Sequence, residues 1–311
     1  MQFLSIEASN KSVDNILKFL TKELEQLNSY NIGYSIDIDI DKKDQDGNGA
    51  IICKINDSGD NQQNSRLSKQ AFRSLMLNVS NALADYIMKN YEEKFIKKII
   101  DTNYFYFNQF ERKGILKEAF KVIKNEDKTF LNTLLQIRRR NIIVKKLMDY
   151  FDNSNTIILD GFINFRLKEY IKDLEEIVQK AVDNFLMEKE YREFINLLKY
   201  FVEIQEPKFY NVHVIVGENG SYTLLDEKMR EITNECVKEY INEISEEEIN
   251  YDDLLVSSLI TLAPRKVTIH SVRYFKNKEL LETIKNVFYN NVIICDGCCI
   301  CQVNTKAKKE K

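Results

Sequence analysis

The chain has 311 residues, of which 44% are hydrophobic and 30% are charged, a composition that excludes global disorder and predicts about two or three folded units. Its 45 basic and 48 acidic side chains give a formal net charge of -3, which excludes recognition of nucleic acid or anionic membrane through overall charge. Two prolines and nine glycines leave few helix breakers and predict a largely helical chain.

The start of the chain predicts a cytosolic protein without a membrane partner. MQFLSIEASNKSVDN lacks the basic and apolar regions of a signal peptide, and no apolar run approaches the ~18 residues of a membrane span. Thiols in the cytosol are normally reduced, so clustered cysteines there favour metal binding, redox chemistry or inertness over structural disulfides.

Residues 1–64 predict an N-terminal α/β part with the order β-α-β-β. QFLSIE forms the first strand, and a helix capped by Ser9 or Asn10 follows it. YSIDIDID alternates strictly, and GAIICKI supplies its antiparallel partner. The loop between them has aspartate spacing like that of an EF-hand, but the twelfth position is Ile55, where a calcium site needs glutamate. We therefore predict a hairpin loop.

Residues 65–206 predict a helical region that begins near Leu67 and ends before Pro207. Its segment IRRRNIIVKK places five cations within nine residues without an acid, namely Arg138, Arg139, Arg140, Lys145 and Lys146. Cations seven residues apart share one side of a helix. Such a stripe either contacts phosphates of a nucleic acid, or it faces solvent and pairs with the acidic helix that follows.

Residues 207–303 predict a C-terminal α/β part. FYNVHVIVGENGSYTLLD forms a hairpin around GENG, and a helix is expected from about Glu227 to Ile241. RKVTIHSV, NKELLETIKNVF and NNVIIC then form a strand-helix-strand unit, and the basic residues 304–311 are expected to be disordered.

The predicted fold class is α+β, mostly helical, with an N-terminal β-α-β-β part, a helical middle and a C-terminal α/β part. The sequence leaves open whether the two α/β parts share one sheet.

A cysteine cluster follows the last predicted strand. Cys295, Cys298 and Cys301 have the spacing C-x2-C-x2-C, with Cys299 inside the set. Thiolates with this spacing can converge on one zinc ion or an iron–sulfur cluster. The pattern contains no fourth ligand. The candidates for that position are Cys299, Cys236, His213, His270 or a thiol of another chain, and it is also open that no fourth ligand exists. The alternatives are dithiol redox chemistry and inert thiols.

One further pattern is weaker. Asp226, Glu227 and Lys228 follow a predicted strand and are similar to the acid-x-Lys element of metal-dependent nucleases. Only Glu218 is available as an acidic partner. His213 and His270 lie in apolar strands without a nucleophile pattern, so no catalytic residue is predicted.

The region from about Leu131 to Cys301 resembles the YtxC-like family of sporulation-associated proteins. The resemblance is carried by DGFINFRLKEY, AVDNFLMEKEYREFINLLKYFVEIQEPK, PRKVTIH and VFYNNVIICDGCCIC. It implies a role in sporulation, but no activity, cofactor or catalytic residue. We therefore expect a non-enzymatic, cytosolic, sporulation-associated protein with a C-terminal cysteine metal site. Such a site orders the terminus or mediates assembly with a protein partner or a second copy. The alternatives are a nucleic-acid-binding module that uses the basic stripe and a redox or nuclease-like enzyme.

Overall fold

The computed structural model describes residues 2–28, 34–42, 48–57, 69–124, 130–233 and 250–301. Its contacts divide the chain into two compact units, Met1–Leu186 and Met187–Lys311. The described strands form two four-stranded sheets, one in each unit, so the N-terminal and C-terminal strands do not share a sheet. Helices make up most of the described chain, which confirms the predicted α+β, mostly helical class.

The first unit begins with the predicted β-α-β-β order. Its elements are β1 (Gln2–Ser9), α1 (Asn10–Asn28), β2 (Tyr34–Lys42), β3 (Asn48–Asp57), α2 (Lys69–Asn103), α3 (Gln109–Lys124), α4 (Phe130–Phe151), β4 (Thr156–Ile158), α5 (Leu159–Arg166) and the first half of α6 (Lys168–Ile204). The sheet has the order β2-β3-β1-β4. Strand β4, which the periodicity did not predict, returns from the helical middle and pairs parallel to β1.

The local sequence explains the N-terminal elements. Helix α1 buries Val13, Ile16, Leu20 and Leu24, whose spacing of three or four residues gives one apolar helix face. Strands β2 and β3 pair antiparallel, so strands and not helices flank the loop with EF-hand-like spacing. Residues 43–47 of that loop lie outside the described residues.

A buried ionic network connects the helices of the first unit. The Arg139 Nε donates to Glu92 Oε1 at 3.1 Å, and the Tyr170 hydroxyl donates to the same oxygen at 3.3 Å. Arg139 is only 4% exposed. Buried charges require partners because desolvation penalises them strongly, so this network fixes how α2, α4 and α6 pack.

Helices α2 and α6 are long, with 35 and 37 residues. Charged residues occur throughout both of them. Across the described ranges, no helix combines the length and the apolar character needed to cross a membrane.

The second unit contains the end of α6 and a mixed sheet. Its further elements are β5 (Asn211–Val216), β6 (Tyr222–Leu225), α7 (Tyr251–Leu262), β7 (Lys266–His270), α8 (Lys278–Phe288) and β8 (Val292–Ile294). The sheet has the order β6-β5-β7-β8, in which β5, β7 and β8 are parallel and β6 is antiparallel. The carboxyl ends of the parallel strands therefore lie at the same edge of the sheet.

The helix predicted to begin at Glu227 does not begin there. Residues 227–228 form a turn instead, and residues 234–249 lie outside the described residues. The Asp226 carboxylate accepts hydrogen bonds from the backbone N–H groups of Lys228 and Arg230, each at 2.8 Å. An aspartate that binds the backbone in this way stabilises a turn in competition with a helix.

Candidate metal centre

The strands of the second unit bring a histidine and the first cysteine of the cluster together. His270 is the last residue of β7, and Cys295 directly follows β8. The backbone N–H of Cys295 donates to the Ile269 carbonyl at 2.9 Å, which extends the ladder between the strands. The imidazole and the thiol consequently emerge at the carboxyl edge of two adjacent parallel strands, where open α/β sheets commonly place their ligand sites.

The segment after Cys295 turns back and adds two more thiols. Gly297 has φ of +130°, a conformation that glycine adopts without steric cost. Residues 299–301 form a helical turn, so that Cys298 and Cys301 both reach His270. The ligand atoms of His270, Cys295, Cys298 and Cys301 all lie within 4.8 Å of one another.

The separations of these atoms match one tetrahedral metal ion. The Cys301 Sγ lies 3.8 Å from the Cys295 Sγ and 3.9 Å from the Cys298 Sγ. The His270 Nδ1 lies 3.4 Å from the Cys298 Sγ and 3.7 Å from the Cys301 Sγ. Four tetrahedral ligands with a Zn–S bond of ~2.3 Å place two sulfur atoms ~3.8 Å apart. In a [4Fe–4S] cluster each cysteine binds a different iron atom, so its sulfur atoms lie farther apart than the ligands of one ion.

Burial sets the protonation of the histidines near this group. His270 is 4% exposed, and burial, followed by the neighbouring His213, lowers the pKa of its imidazole. Burial also lowers the pKa of His213, with Lys266 contributing in the same direction and Asp226 opposing it. Both imidazoles are therefore neutral near pH 7, and a neutral imidazole is the form that binds metal.

The thiols differ in how easily they ionise. Burial opposes ionisation of Cys301, but the Ser271 backbone and the neighbouring Cys295 and Cys298 together hold the pKa of this thiol below its ordinary value. For Cys295, the backbone N–H of Gly297 favours the thiolate, whereas desolvation and the neighbouring thiols raise its pKa.

The other cysteine and histidine candidates have different positions. Cys299 is exposed and does not belong to the group of four ligand atoms. His213 lies on β5 and forms a hydrogen bond with His270 instead of facing the thiols. Cys236 lies outside the described residues. Among the candidates that the structure describes, His270 is the one whose ligand atom completes the group of four.

Replacing Gly297 with alanine is expected to weaken metal binding. A Cβ at φ of +130° is strained, and such a conformation costs a residue other than glycine about 1–3 kcal/mol. The ideal Cβ itself meets no atom within 4 Å, so backbone strain alone should account for the loss. Titration with a competing zinc chelator measures the effect, and an affinity equal to that of the wild-type chain would show that the turn does not need glycine.

The basic stripe on α4 is largely paired with acids. Arg138 lies 3.2 Å from Asp173, and Lys146 lies 3.6 Å from Glu169, both acids on α6. Arg139 pairs with Glu92 as described above, and Lys145 is exposed. This arrangement agrees with the prediction that the stripe faces solvent and pairs with the acidic helix that follows, and not with phosphate binding.

Arg140 is paired as well. It binds Asp85 through its Nε at 2.6 Å and its Nη2 at 3.2 Å, and it donates to Asn81 at 3.0 Å. The hydrogen bond with Asp85 is the main reason why the pKa of Arg140 is raised. The guanidinium is therefore committed to α2, and this geometry gives no support to nucleic-acid binding by the stripe.

The Asp226 pattern has a structural explanation. Besides accepting from two backbone N–H groups, Asp226 Oδ2 accepts from the Arg230 side chain at 2.7 Å. The hydrogen bond from the Arg230 backbone is the largest of the effects that lower the pKa of Asp226. Glu218 binds elsewhere, accepting from the Tyr274 hydroxyl at 2.9 Å. The hydrogen bonds of Asp226 account for its burial without a catalytic metal.

Two residues near the site were missed by sequence reasoning. Asn211 Nδ2 lies 2.9 Å from His213 Nε2, and Thr268 Oγ1 donates to Asn211 Oδ1 at 3.1 Å. The alternation of NVHVIV and KVTIH carried the signal, because residues two apart on a strand share a face. Val212 and Val214 are buried in the core, which places Asn211 and His213 together on the opposite face.

The structure thus defines an α+β protein whose second unit carries a Cys3His group at the carboxyl edge of the parallel strands of a mixed sheet. The chain belongs to the YtxC-like family, whose model matches residues 77–293. It is 27% identical over 217 residues to the uncharacterised protein YtxC of Bacillus subtilis (strain 168), covering 68% of this chain and 73% of that relative. No solved structure matches the chain.

The family match confirms the resemblance but has different limits. It begins well before Leu131 and ends at residue 293, whereas the segments that carry the resemblance extend from about Leu131 to Cys301. The matched region contains His270, and the cysteines of the site lie just beyond it.

Proposed function

We propose that the protein is a non-enzymatic, cytosolic, sporulation-associated protein whose C-terminal segment is fixed by one zinc ion. His270, Cys295, Cys298 and Cys301 are its ligands. The ion joins the end of β7 to the segment after β8, so it closes the carboxyl edge of the sheet and gives the chain a rigid C-terminal surface. A partner protein or a second copy can bind to such a surface.

The observation that carries this proposal is the agreement of the sulfur and nitrogen separations with a single tetrahedral ion. Three thiolates and one imidazole are the ligands that zinc prefers, and four protein ligands characterise structural sites, because catalytic zinc keeps one position open for water or substrate. The burial of His270 and Cys301 supports the structural interpretation.

A dithiol function is the second candidate. The Cys298 and Cys301 sulfur atoms are 3.9 Å apart, and a modest movement would bring them to the ~2.05 Å of a disulfide. Forming that bond would release two protons and pass two electrons to an oxidant such as glutathione disulfide. Zinc would protect these thiols from oxidation, so the two candidates predict different behaviour of the purified protein.

Anaerobic purification of the full chain followed by elemental analysis tests the zinc proposal. We expect one zinc ion per chain, no labile sulfide and no iron–sulfur absorption. Cys298→Ser should lose the zinc, because it removes a ligand, whereas Cys299→Ser should retain it, because Cys299 is exposed and outside the group.

Two results would contradict the proposal. Absence of zinc after anaerobic purification and zinc addition would remove the site, and a reversible Cys298–Cys301 disulfide in that protein would favour the dithiol function. Equal zinc loss in Cys299→Ser and Cys298→Ser would indicate a different ligand set.

The sporulation setting rests on the family resemblance. If it is correct, deletion of the gene from its spore-forming host should lower the yield of heat-resistant spores, and complementation with the wild-type gene should restore it. An unchanged spore yield after deletion would contradict this part of the proposal.

A further inference from the structure

A chain of hydrogen bonds leads from the proposed metal ligand across the sheet. His270 Nε2 lies 2.9 Å from His213 Nδ1, and His213 Nε2 lies 2.9 Å from Asn211 Nδ2. Asn211 Oδ1 in turn accepts from the Thr268 hydroxyl at 3.1 Å. All four residues lie on the adjacent parallel strands β5 and β7. Their polar atoms form one continuous path that ends at the thiols.

The orientation of the Asn211 amide fixes the direction of this path. Its NH2 group donates to His213 Nε2, so His213 must carry its proton on Nδ1 and donate to His270 Nε2. His270 then carries its own proton on Nδ1, the nitrogen that faces Cys298 and Cys301. In this arrangement His270 donates a hydrogen bond to the sulfur atoms, and its Nδ1 has no lone pair for a metal ion.

Metal binding through Nδ1 requires the opposite arrangement. His270 must then carry its proton on Nε2 and donate to His213 Nδ1, which moves the proton of His213 to Nε2. The Asn211 amide must rotate so that its oxygen accepts from His213, and its NH2 group then donates to the Thr268 hydroxyl. Every hydrogen bond in the path remains satisfied after this reversal, because hydroxyl, amide and imidazole groups can each both donate and accept.

We infer that zinc binding reverses the direction of this hydrogen-bond chain, and that His213, Asn211 and Thr268 are positioning residues that hold His270 in its metal-binding tautomer in the zinc-bound protein. The inference rests on the proposed zinc site. Partners that orient a ligating histidine typically change metal affinity about 10- to 100-fold. His213 does this without touching the ion.

The reversal can be observed directly because the chain contains two histidines. Long-range 1H–15N correlation spectra of the 15N-histidine-labelled full chain, recorded with and without zinc chloride, distinguish the two tautomers of each imidazole. We expect zinc to convert both His270 and His213 from the Nδ1–H to the Nε2–H tautomer. A change at His213 is the distinguishing result, since a purely structural residue would keep its tautomer.

Two variants test the effect on affinity. His213→Leu removes the acceptor for His270 and should weaken zinc binding about 10- to 100-fold. His213→Asn places an amide oxygen near the position of Nδ1, so it should recover most of that loss. The recovery separates hydrogen bonding from a general effect on folding, and competition with a zinc chelator measures both variants.

The outcomes separate this inference from the proposed function. Suppose that His270→Ala weakens zinc binding, that His213→Leu binds zinc with the affinity of the wild-type chain, and that zinc leaves the His213 tautomer of the wild-type chain unchanged. The zinc site then stands, and the role of the hydrogen-bond chain is refuted. If zinc binds to none of the proteins, the proposed function fails first. A His213 tautomer that changes with zinc, together with recovery in His213→Asn, supports both.

Discussion

Replacing Cys301 with alanine is expected to abolish the stabilisation that zinc gives to the second unit. A ligand that binds only the folded state adds about 2.7 kcal/mol to the free energy of unfolding when its free concentration is 100 times the dissociation constant. Because Cys301 is buried and contacts the other three ligands of the set, its loss should eliminate this increment. Unfolding by urea, with zinc and with a chelator, measures it.

The comparison is made within each variant. Alanine at position 301 also changes packing, but that change is present with and without zinc, so it cancels when the two unfolding curves of one variant are subtracted. Cys299→Ala provides the matched control, since Cys299 is exposed, and its zinc-dependent increment should equal that of the wild-type chain. An undiminished increment in Cys301→Ala would show that this thiol is not a ligand.

Replacing Arg139 with methionine is expected to destabilise the first unit by about 3–5 kcal/mol near pH 7, the usual cost of removing one partner of a buried ion pair. The variant leaves the Glu92 carboxylate with the Tyr170 hydroxyl but without its countercharge. Arg138→Met is the control, because the Arg138 side chain is exposed and its pair with Asp173 should contribute less than about 1 kcal/mol. Equal losses in the two variants would contradict the buried network.

The deficit of Arg139→Met should depend on pH. Burial raises the pKa of Glu92 above its ordinary value of 4.5, although Arg139 opposes the rise. A carboxyl whose pKa is higher in the folded state loses stability as the pH rises through the interval between its unfolded and folded pKa values. Removing Arg139 raises the pKa of Glu92 in the folded state further, so it extends that interval to higher pH. The deficit should therefore be largest at neutral pH and shrink toward pH 4.5, and Glu92→Gln in the Arg139→Met background should restore most of the lost stability.

The sequence was sufficient for the elements that have strong periodicity or turn signals. The apolar face of α1, the β2–β3 hairpin and the strand-helix-strand unit around His270 all follow from local patterns. Strand β4 was missed because three residues, Thr156–Ile158, are too few to show alternation, and the turn after Asp226 was missed because side-chain hydrogen bonds to the backbone override helix propensity there.

The site was predictable in part. Spacing identified Cys295, Cys298 and Cys301, but it could not separate Cys299 from them, because which thiol faces inward depends on the turn at Gly297. His270 was one of several candidates for the fourth ligand. Its selection follows from the parallel pairing of β7 with β8, since two parallel neighbours joined by a helix place their following residues at one edge. The tertiary path through Asn211 and Thr268 required the alignment of β5 with β7.

X-ray absorption spectroscopy of the zinc-loaded full chain tests the central claim most directly. The account predicts a single zinc ion with three sulfur ligands at ~2.3 Å and one nitrogen ligand at ~2.0 Å, and Cys299→Ser should give the same spectrum. A shell of four sulfur atoms would show that another thiol binds the ion in place of His270. A shell made mainly of oxygen or nitrogen would contradict the Cys3His site altogether.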